Sequence, residues 1–198
     1  MKKTEFDDSN TPLSEEEIEG LKPPWIRNRS DLNRAEALNL AKGTFWLMNQ
    51  AKRVDVFDDI FLCKLHTKLF GEVWKWAGTF RKTNKNIGID WQEISIQLRA
   101  QTQNARFWID QSRYSAEEMA IRYHYLLVKI HPFPNGNGRW SRTVADYIYK
   151  KLYKRIGFKW GRYDLVQKGS NRQHYIDSIR EMDRNADPSA MIAFALGN

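Results

Sequence analysis

The chain has one cysteine, Cys63, among 198 residues, so no disulfide can close within it and its cysteine usage gives no sign of an oxidising compartment. It also lacks a long hydrophobic run. The longest apolar stretch, Ala190 to Leu196, falls far short of the roughly 20 residues that cross a bilayer, so no membrane partner is expected. Met1 to Leu13 carries two lysines and then Thr4, Glu5, Phe6, Asp7 and Asp8, with no apolar core of signal-peptide length. The expected location is cytoplasmic. Internal repeats and low-complexity tracts are absent too, which excludes solenoid architectures. What is present is an ordinary globular composition, 41% hydrophobic, enough for the core of one domain. Lysine and arginine exceed the acidic residues, 32 to 24, for a net charge of +8. That excess suits an anionic partner, whether nucleic acid, an acidic protein surface or a nucleotide, and charge alone does not choose among them.

The apolar spacing is helical almost throughout. A polar arm over the first thirteen residues precedes Ser14-Glu15-Glu16-Glu17, a capping box in which Ser14 accepts from the third helical residue while Glu17 reaches back. Gly20 and Pro23-Pro24 end this acidic helix within about two turns. From Asp31 to Gln50, the residues Leu32, Ala35, Leu38, Leu40, Ala41, Phe45, Trp46 and Met48 predict a long helix with a wide buried face. Further helices are expected over about 57–70, 92–112, 115–130 (opened by Ser115 with Glu118), 139–155, 171–184 and 188–196. Residues Thr79–Thr83 and Ile87–Asp90, separated by asparagines, predict two arms of a small hairpin, the one strand signal in the chain. The expected class is all-α with one small β-hairpin, divided into an N-terminal arm and short helix over 1–30 and a main domain over 31–198.

One break between helices stands out. His131-Pro132-Phe133-Pro134 cannot lie inside a helix, and Asn135-Gly136-Asn137-Gly138 is a loop of high backbone freedom entering the next helix. Such a loop aims several N–H groups at one point, where the helix dipole adds positive potential, and so makes an anion site. Arg139 and Arg142, three residues apart, share one helix face beside it. Two guanidinium forks next to an amide cradle suit a polyphosphate. His131 is the nearby side chain able to take a proton near neutral pH. Taken singly, each of these features is commonly structural: a turn, two solvated arginines, a core histidine.

Their order, however, resembles the Fic/Doc signature H-x-F-x-[DE]-G-N-[GK]-R-x-x-R, matched from His131 to Arg142 with one departure, Asn135. Trp76-Ala77-Gly78 with Arg81 is similar to the segment that leads into the family's flap hairpin, and Tyr175 with the 188–196 stretch is similar to its C-terminal helices. Thr11-Pro12-Leu13 and Glu19-Gly20-Leu21 resemble a bacterial branch called mobile mystery protein B.

The resemblance implies a protein adenylyltransferase that moves AMP from ATP to a hydroxyl side chain (Ser, Thr or Tyr) of a target protein. On it, His131 is the general base and Phe133 anchors the loop. Gly136, Asn137 and Gly138 bind phosphates through amides and the Asn137 side chain, with Arg139 on the β- and Arg142 on the γ-phosphate. Ile87 and Gly88 belong to a flap over the nucleotide that aligns the target by strand addition, and Tyr175 lies at the nucleotide site. Asn135 stands where the family places an acidic Mg²⁺ ligand, so metal affinity is expected to fall. Glu15 to Gly20 resembles the family's inhibitory helix, with Glu19 pairing with Arg142. An antitoxin-like regulator is compatible with the same resemblance. Two other classes remain open at this point. Asn135 is compatible with a catalytically silent, toxin-like Fic scaffold, and the charge with eight tryptophans is compatible with a nucleic-acid-binding protein. Trp46 and Trp140 argue against the second, because they fall on apolar helix faces expected in the core.

Overall fold

The computed structural model describes residues 13–160 and 170–198. The expected N-terminal arm lies outside the described residues up to residue 12, together with Thr11 and Pro12, while Leu13 is buried. The described part is helical, with α1 (Glu15–Gly20), α2 (Arg29–Met48), α3 (Asp59–Phe70), α4 (Ile94–Asp110), α5 (Ala116–Ile130), α6 (Asn137–Tyr147), α7 (Ser170–Asn185) and α8 (Ser189–Leu196). None of its helices is long and apolar enough to cross a membrane. The described residues form two compact units, one within 13–52 and 60–79, the other within 53–59, 80–160 and 170–198.

In the first unit, Ser14 caps α1 as its sequence predicts: its Oγ accepts from Glu17 N, and Glu17 Oε2 accepts from Ser14 N. The Glu17 carboxylate also takes both arms of Arg29, at 2.7 and 2.9 Å, a bidentate pair that lowers the Glu17 pKa. Beyond α1 the chain pairs with residues 73–75, through Lys22 N to Val73 O and Lys75 N to Gly20 O. Lys75 Nζ donates to Glu19 O, and the Glu19 side chain is exposed.

Helix α2 buries a different stripe from the expected one. Leu32, Ala35, Glu36, Asn39, Gly43 and Leu47 face inward, whereas Leu38 and Phe45 are exposed, Phe45 by 71%. Two polar residues win the inner positions because each meets a buried donor or acceptor. Glu36 accepts from Trp74 Nε1 at 2.7 Å. Asn39 donates to Lys68 O and accepts from Glu72 N, which satisfies groups at the open C-terminus of α3. Gly43 is required where α2 meets α3, since a Cβ there would sit 2.5 Å from Lys68 O. Trp46 is half-buried, stacked on Phe61 and covered by the Lys64 and Lys68 ammonium groups rather than sunk in a core.

The second unit is built around α5, which packs against α4, α6 and α8. Met119, Tyr123 and Leu127 are fully buried at i, i+4 and i+8, the expected period. Trp140, Val144 and Ile148 meet them from α6 and the turn beyond it, all fully buried. The expected continuous helix 139–155 changes at Ile148 into a π-turn ending at Leu152.

The expected hairpin is not formed. Among the described residues, 79–90 carries no strand, and the carbonyls that a ladder would pair are taken by one side chain. Arg81, only 3% exposed, donates from Nη1 to Thr83 O and from Nη2 to Ile89 O, closing the segment around its guanidinium. Asn84 and Asp90 clasp its ends, since Asn84 Oδ1 accepts from Trp91 N and Asn84 Nδ2 donates to Asp90.

Candidate active site

The site lies wholly in the second unit, where α5 ends and α6 begins. His131 is the C-cap of α5, with φ 52° and ψ 59°, the left-handed region that costs a non-glycine residue of order 1 kcal/mol or more. Three bonds hold it there: His131 N donates to Leu127 O, Arg81 Nε donates to His131 O at 2.8 Å, and Arg81 N donates to Pro132 O at 2.9 Å. Arg81 therefore ties the loop 83–89 to the histidine. Gly88 completes the contact at φ +100°, where a Cβ would lie 2.7 Å from His131 Cβ and 2.8 Å from Arg81 Nη2. Ile87, beside it, is exposed.

Burial, aided by the positive charge of Arg81, pushes the His131 pKa down to about 4. The imidazole is neutral near pH 7, the state a proton acceptor needs. Its Nδ1 is buried beside the Val128 backbone, outside hydrogen-bonding geometry, which leaves Nε2 to meet a substrate hydroxyl.

The loop after His131 is stapled from inside. Phe133 is fully buried, packed on Phe80 and edge-on to Trp140. Asn137, expected to reach the phosphates, is 1% exposed and spans Phe133 instead, accepting from Phe133 N at 3.0 Å and donating to Phe133 O at 2.8 Å. Its side chain shapes the loop, and its backbone N–H stands at the start of α6. Gly136, at φ +79°, is the N-cap of α6, so the amides of Gly136, Asn137 and Gly138 lie at that helix N-terminus. Arg142 comes back over them, its Nη1 3.5 Å from where a Gly138 Cβ would be. Arg139 is half-buried on the same first turn.

Two further residues set the position of Arg142. Its guanidinium stacks over the Tyr175 ring at 5.3 Å, and the buried Tyr175 hydroxyl meets His124 Nε2 at 3.0 Å. His124 is fully buried, and desolvation, reinforced by the charge of Arg142, pushes its pKa down to about 3. Sequence reasoning missed His124, although it lies seven residues before His131 and so on the same helix face. It also treated Arg81 as a family marker rather than as part of the site.

These two histidines make the fold acid-sensitive. Each has a folded pKa below the ordinary 6.5, so the unfolded chain binds more protons over that interval and stability falls with pH. Unfolding free energy from urea titrations is expected to decline as pH drops from 6.5 towards 4, with a shallower slope in His124→Gln. A stability constant over that window would contradict the neutral, buried state of both rings.

Comparison with known proteins bears on the same elements. Residues 57–149 match the model of the Fic/DOC family, a span that includes His131, the loop and Arg142. A protein adenylyltransferase, VbhT of Bartonella schoenbuchensis, is 34% identical over 119 residues, covering 54% of this chain and 23% of that protein. The match thus spans about a quarter of the length of this curated relative. Among solved structures, the N-terminal Fic domain of a VirB-translocated Bep effector protein from Bartonella quintana, with bound ADP, aligns with a TM-score of 0.63 at 19% identity, over 96% of this chain and 91% of that one. BepC of Bartonella tribocorum, with bound AMPPNP, gives 0.63 at 16% identity over 92% and 97%. At these identities the structures establish the fold.

Proposed function

We propose that this site, in a chain whose residues 57–149 match the model of the Fic/DOC family, is a protein adenylyltransferase centre, transferring AMP from ATP to a hydroxyl side chain of a target protein. The observation that carries the reading is a neutral histidine held at a strained position five residues before the N-cap of a helix, with Arg142 folded over that helix's first turn. The relative named an adenylyltransferase and the nucleotides bound to the two similar folds support the same reading.

The chemistry follows from the residues. The Asn137 and Gly138 amides and the two arginines bind the triphosphate, with Arg139 on the β- and Arg142 on the γ-phosphate, while the Gly136 N–H, taken by Asn135 Oδ1 in this structure, must exchange that partner to join them. His131 Nε2 takes the proton of the incoming hydroxyl as its oxygen attacks the α-phosphorus, and the bond to pyrophosphate breaks. Charge growing on the leaving pyrophosphate is met by the same arginines. The imidazolium, acidic because it is buried, returns its proton to solvent. Ile87, exposed, and Gly88, packed on His131, belong to the segment beside the site; for a target to align on it by strand addition this segment would have to extend on binding.

Magnesium is implied by the family at position 135, and the side chains present do not fit it. Asn135 is neutral, its Oδ1 accepts from Gly136 N at 2.6 Å, and no group of three His, Cys, Asp or Glu that could hold an ion occurs among the described residues. No step above depends on a protein-held metal.

Regulation forms the second part of the reading. Glu19-Gly20 resembles the inhibitory motif of the family. A Glu19 carboxylate and a γ-phosphate would compete for Arg142, so Glu19→Gly is expected to raise self- or target modification, with Glu15→Gly and Glu16→Gly near wild type. Equal rates in all four proteins would overturn the inhibitory role of Glu19 and point to a separate antitoxin-like regulator or to none. The core reading is tested by incubating the protein with ATP and a cell lysate and searching peptides for an AMP adduct on Ser, Thr or Tyr. Adducts that vanish in His131→Ala support transfer, whereas ATP binding with no adduct in any lysate would indicate a silent scaffold.

A further inference from the structure

His124 is fully buried and takes no part in the chemistry given above, yet only Tyr175 separates it from Arg142. Its Nε2 meets the Tyr175 hydroxyl at 3.0 Å, and the Arg142 guanidinium lies over the Tyr175 ring, 5.3 Å from its centroid. We propose that His124 is a positioning residue for Arg142, acting through the Tyr175 hydroxyl, and that this buried chain sets the preference of the site for a nucleoside triphosphate over a diphosphate. The inference rests on the nucleotide reading above, in which Arg142 meets the γ-phosphate.

The direction of the hydrogen bond follows from which groups can accept. The tyrosine hydroxyl has one proton, and the neighbouring guanidinium has donors only. That proton therefore goes to His124, whose ring is kept neutral by burial and by the charge of Arg142. Nε2 is the acceptor, and Nδ1, buried beside the Ser141 backbone, carries the ring proton. Stacking alone would let a guanidinium slide across a ring face. The hydroxyl removes that freedom, because it ties Tyr175 on α7 to α5. It also stands beside Arg142 at the start of the next helix: Tyr175 Oη and Arg142 Nη1 lie 3.7 and 3.5 Å from where a Gly138 Cβ would be. Both groups are thus held over the first turn of α6.

His124 is fixed from behind as well. The Trp160 ring packs against it at 5.0 Å, Trp160 Nε1 donates to Asp146 Oδ2 at 3.1 Å, and Phe158 N donates to Asp146 Oδ1 at 3.0 Å. Asp146 lies four residues after Arg142, the spacing of a helical ion pair. Its two oxygens are engaged elsewhere, and the guanidinium is held by a ring face instead. An arginine held this way keeps its fork of donors for an anion. A diphosphate does not extend to Arg142 in this reading, so loss of the anchor weakens binding only where a γ-phosphate is present. A general defect in the fold would weaken both nucleotides alike.

The test measures ADP and AMPPNP binding by calorimetry on the full chain as wild type, Tyr175→Phe, His124→Leu and His124→Gln. Phenylalanine keeps the ring under Arg142 and removes the hydroxyl, leucine removes the acceptor, and glutamine supplies a carboxamide oxygen in its place. Tyr175→Phe and His124→Leu are expected to lose roughly tenfold in AMPPNP affinity, about what one charge-assisted hydrogen bond contributes, with ADP affinity near wild type. His124→Gln is expected to recover most of the loss. Equal weakening for both nucleotides, or an unchanged preference in Tyr175→Phe and His124→Leu, would overturn the proposal. A second readout needs no nucleotide, since the side-chain proton resonances of Arg142 are shifted by the ring current of Tyr175. That shift is expected to survive in His124→Gln and to shrink in His124→Leu, and equal shifts in wild type and His124→Leu would overturn the positioning role. A wild type that binds neither nucleotide would overturn the nucleotide reading and the triphosphate preference with it, while the resonances decide the positioning of Arg142 independently.

Discussion

Replacement of His131 by alanine is expected to lower AMP transfer by about 10²–10⁴-fold, the usual contribution of a positioned general base, and to leave ADP binding essentially unchanged. The separation follows from where the ring sits. In the proposed reading the phosphates are held by backbone amides at the start of α6 and by Arg139 and Arg142, whereas His131 ends the preceding helix. The substitution leaves the main-chain acceptors in place, so Arg81 still holds the backbone through His131 O and Pro132 O. The imidazole is neutral well below physiological pH, so the wild-type rate is also expected to be flat from about pH 5 upward, one unit above its pKa. Single-turnover transfer and ADP calorimetry on the same preparations separate chemistry from binding. A variant that binds ADP and transfers at the wild-type rate would remove His131 from the mechanism.

The second large effect is expected from Arg81→Met, which keeps the length of the stem and removes the guanidinium. Arg81 is almost wholly buried, and its side-chain partners are carbonyls: Thr83 O, Ile89 O, His131 O and, at 3.5 Å, Ile130 O. Methionine leaves these acceptors without their donors, and each charge-assisted bond lost costs about 1.5–3 kcal/mol. A loss of about 3 kcal/mol or more in unfolding free energy is expected, because the segment 83–89 and the His131 cap lose their common anchor together. Hydrogen exchange should then rise at Ile89 and His131 before it rises in α5. Wild-type stability in Arg81→Met, or loosened exchange spread evenly over the unit, would show that the loop is held by something else.

These two residues also mark the limit of what the sequence disclosed. The loop from His131 to Arg142 was legible because its functional parts are contiguous, and a histidine, glycines, asparagines and spaced arginines have few structural reasons to occur in that order. Arg81 lies fifty residues away, and no periodicity links it to His131. The hairpin was misjudged for the same reason, since turn-forming asparagines and alternating residues describe a strand pair equally well whether its carbonyls meet a ladder or a buried guanidinium. On α2, Leu38 and Phe45 were expected inside. Glu36 and Asn39 hold those inner positions because of Trp74 and the end of α3, which local pattern does not reveal. Asn137 was expected to reach the phosphates, and in the structure its carboxamide is bonded at both ends to Phe133, a distinction local pattern does not carry, because an amide can bind a phosphate or staple a turn.

The central claim, that this site moves AMP and not another part of the nucleotide, is tested most directly by position-specific labelling. Wild type and His131→Ala are incubated with lysate proteins and ATP labelled either at the α- or at the γ-phosphate, and protein-bound label is measured after denaturation. Attack at the α-phosphorus predicts label on protein from α-labelled ATP alone, and none from His131→Ala. Label arriving from the γ-phosphate, or arriving equally in the variant, would contradict it.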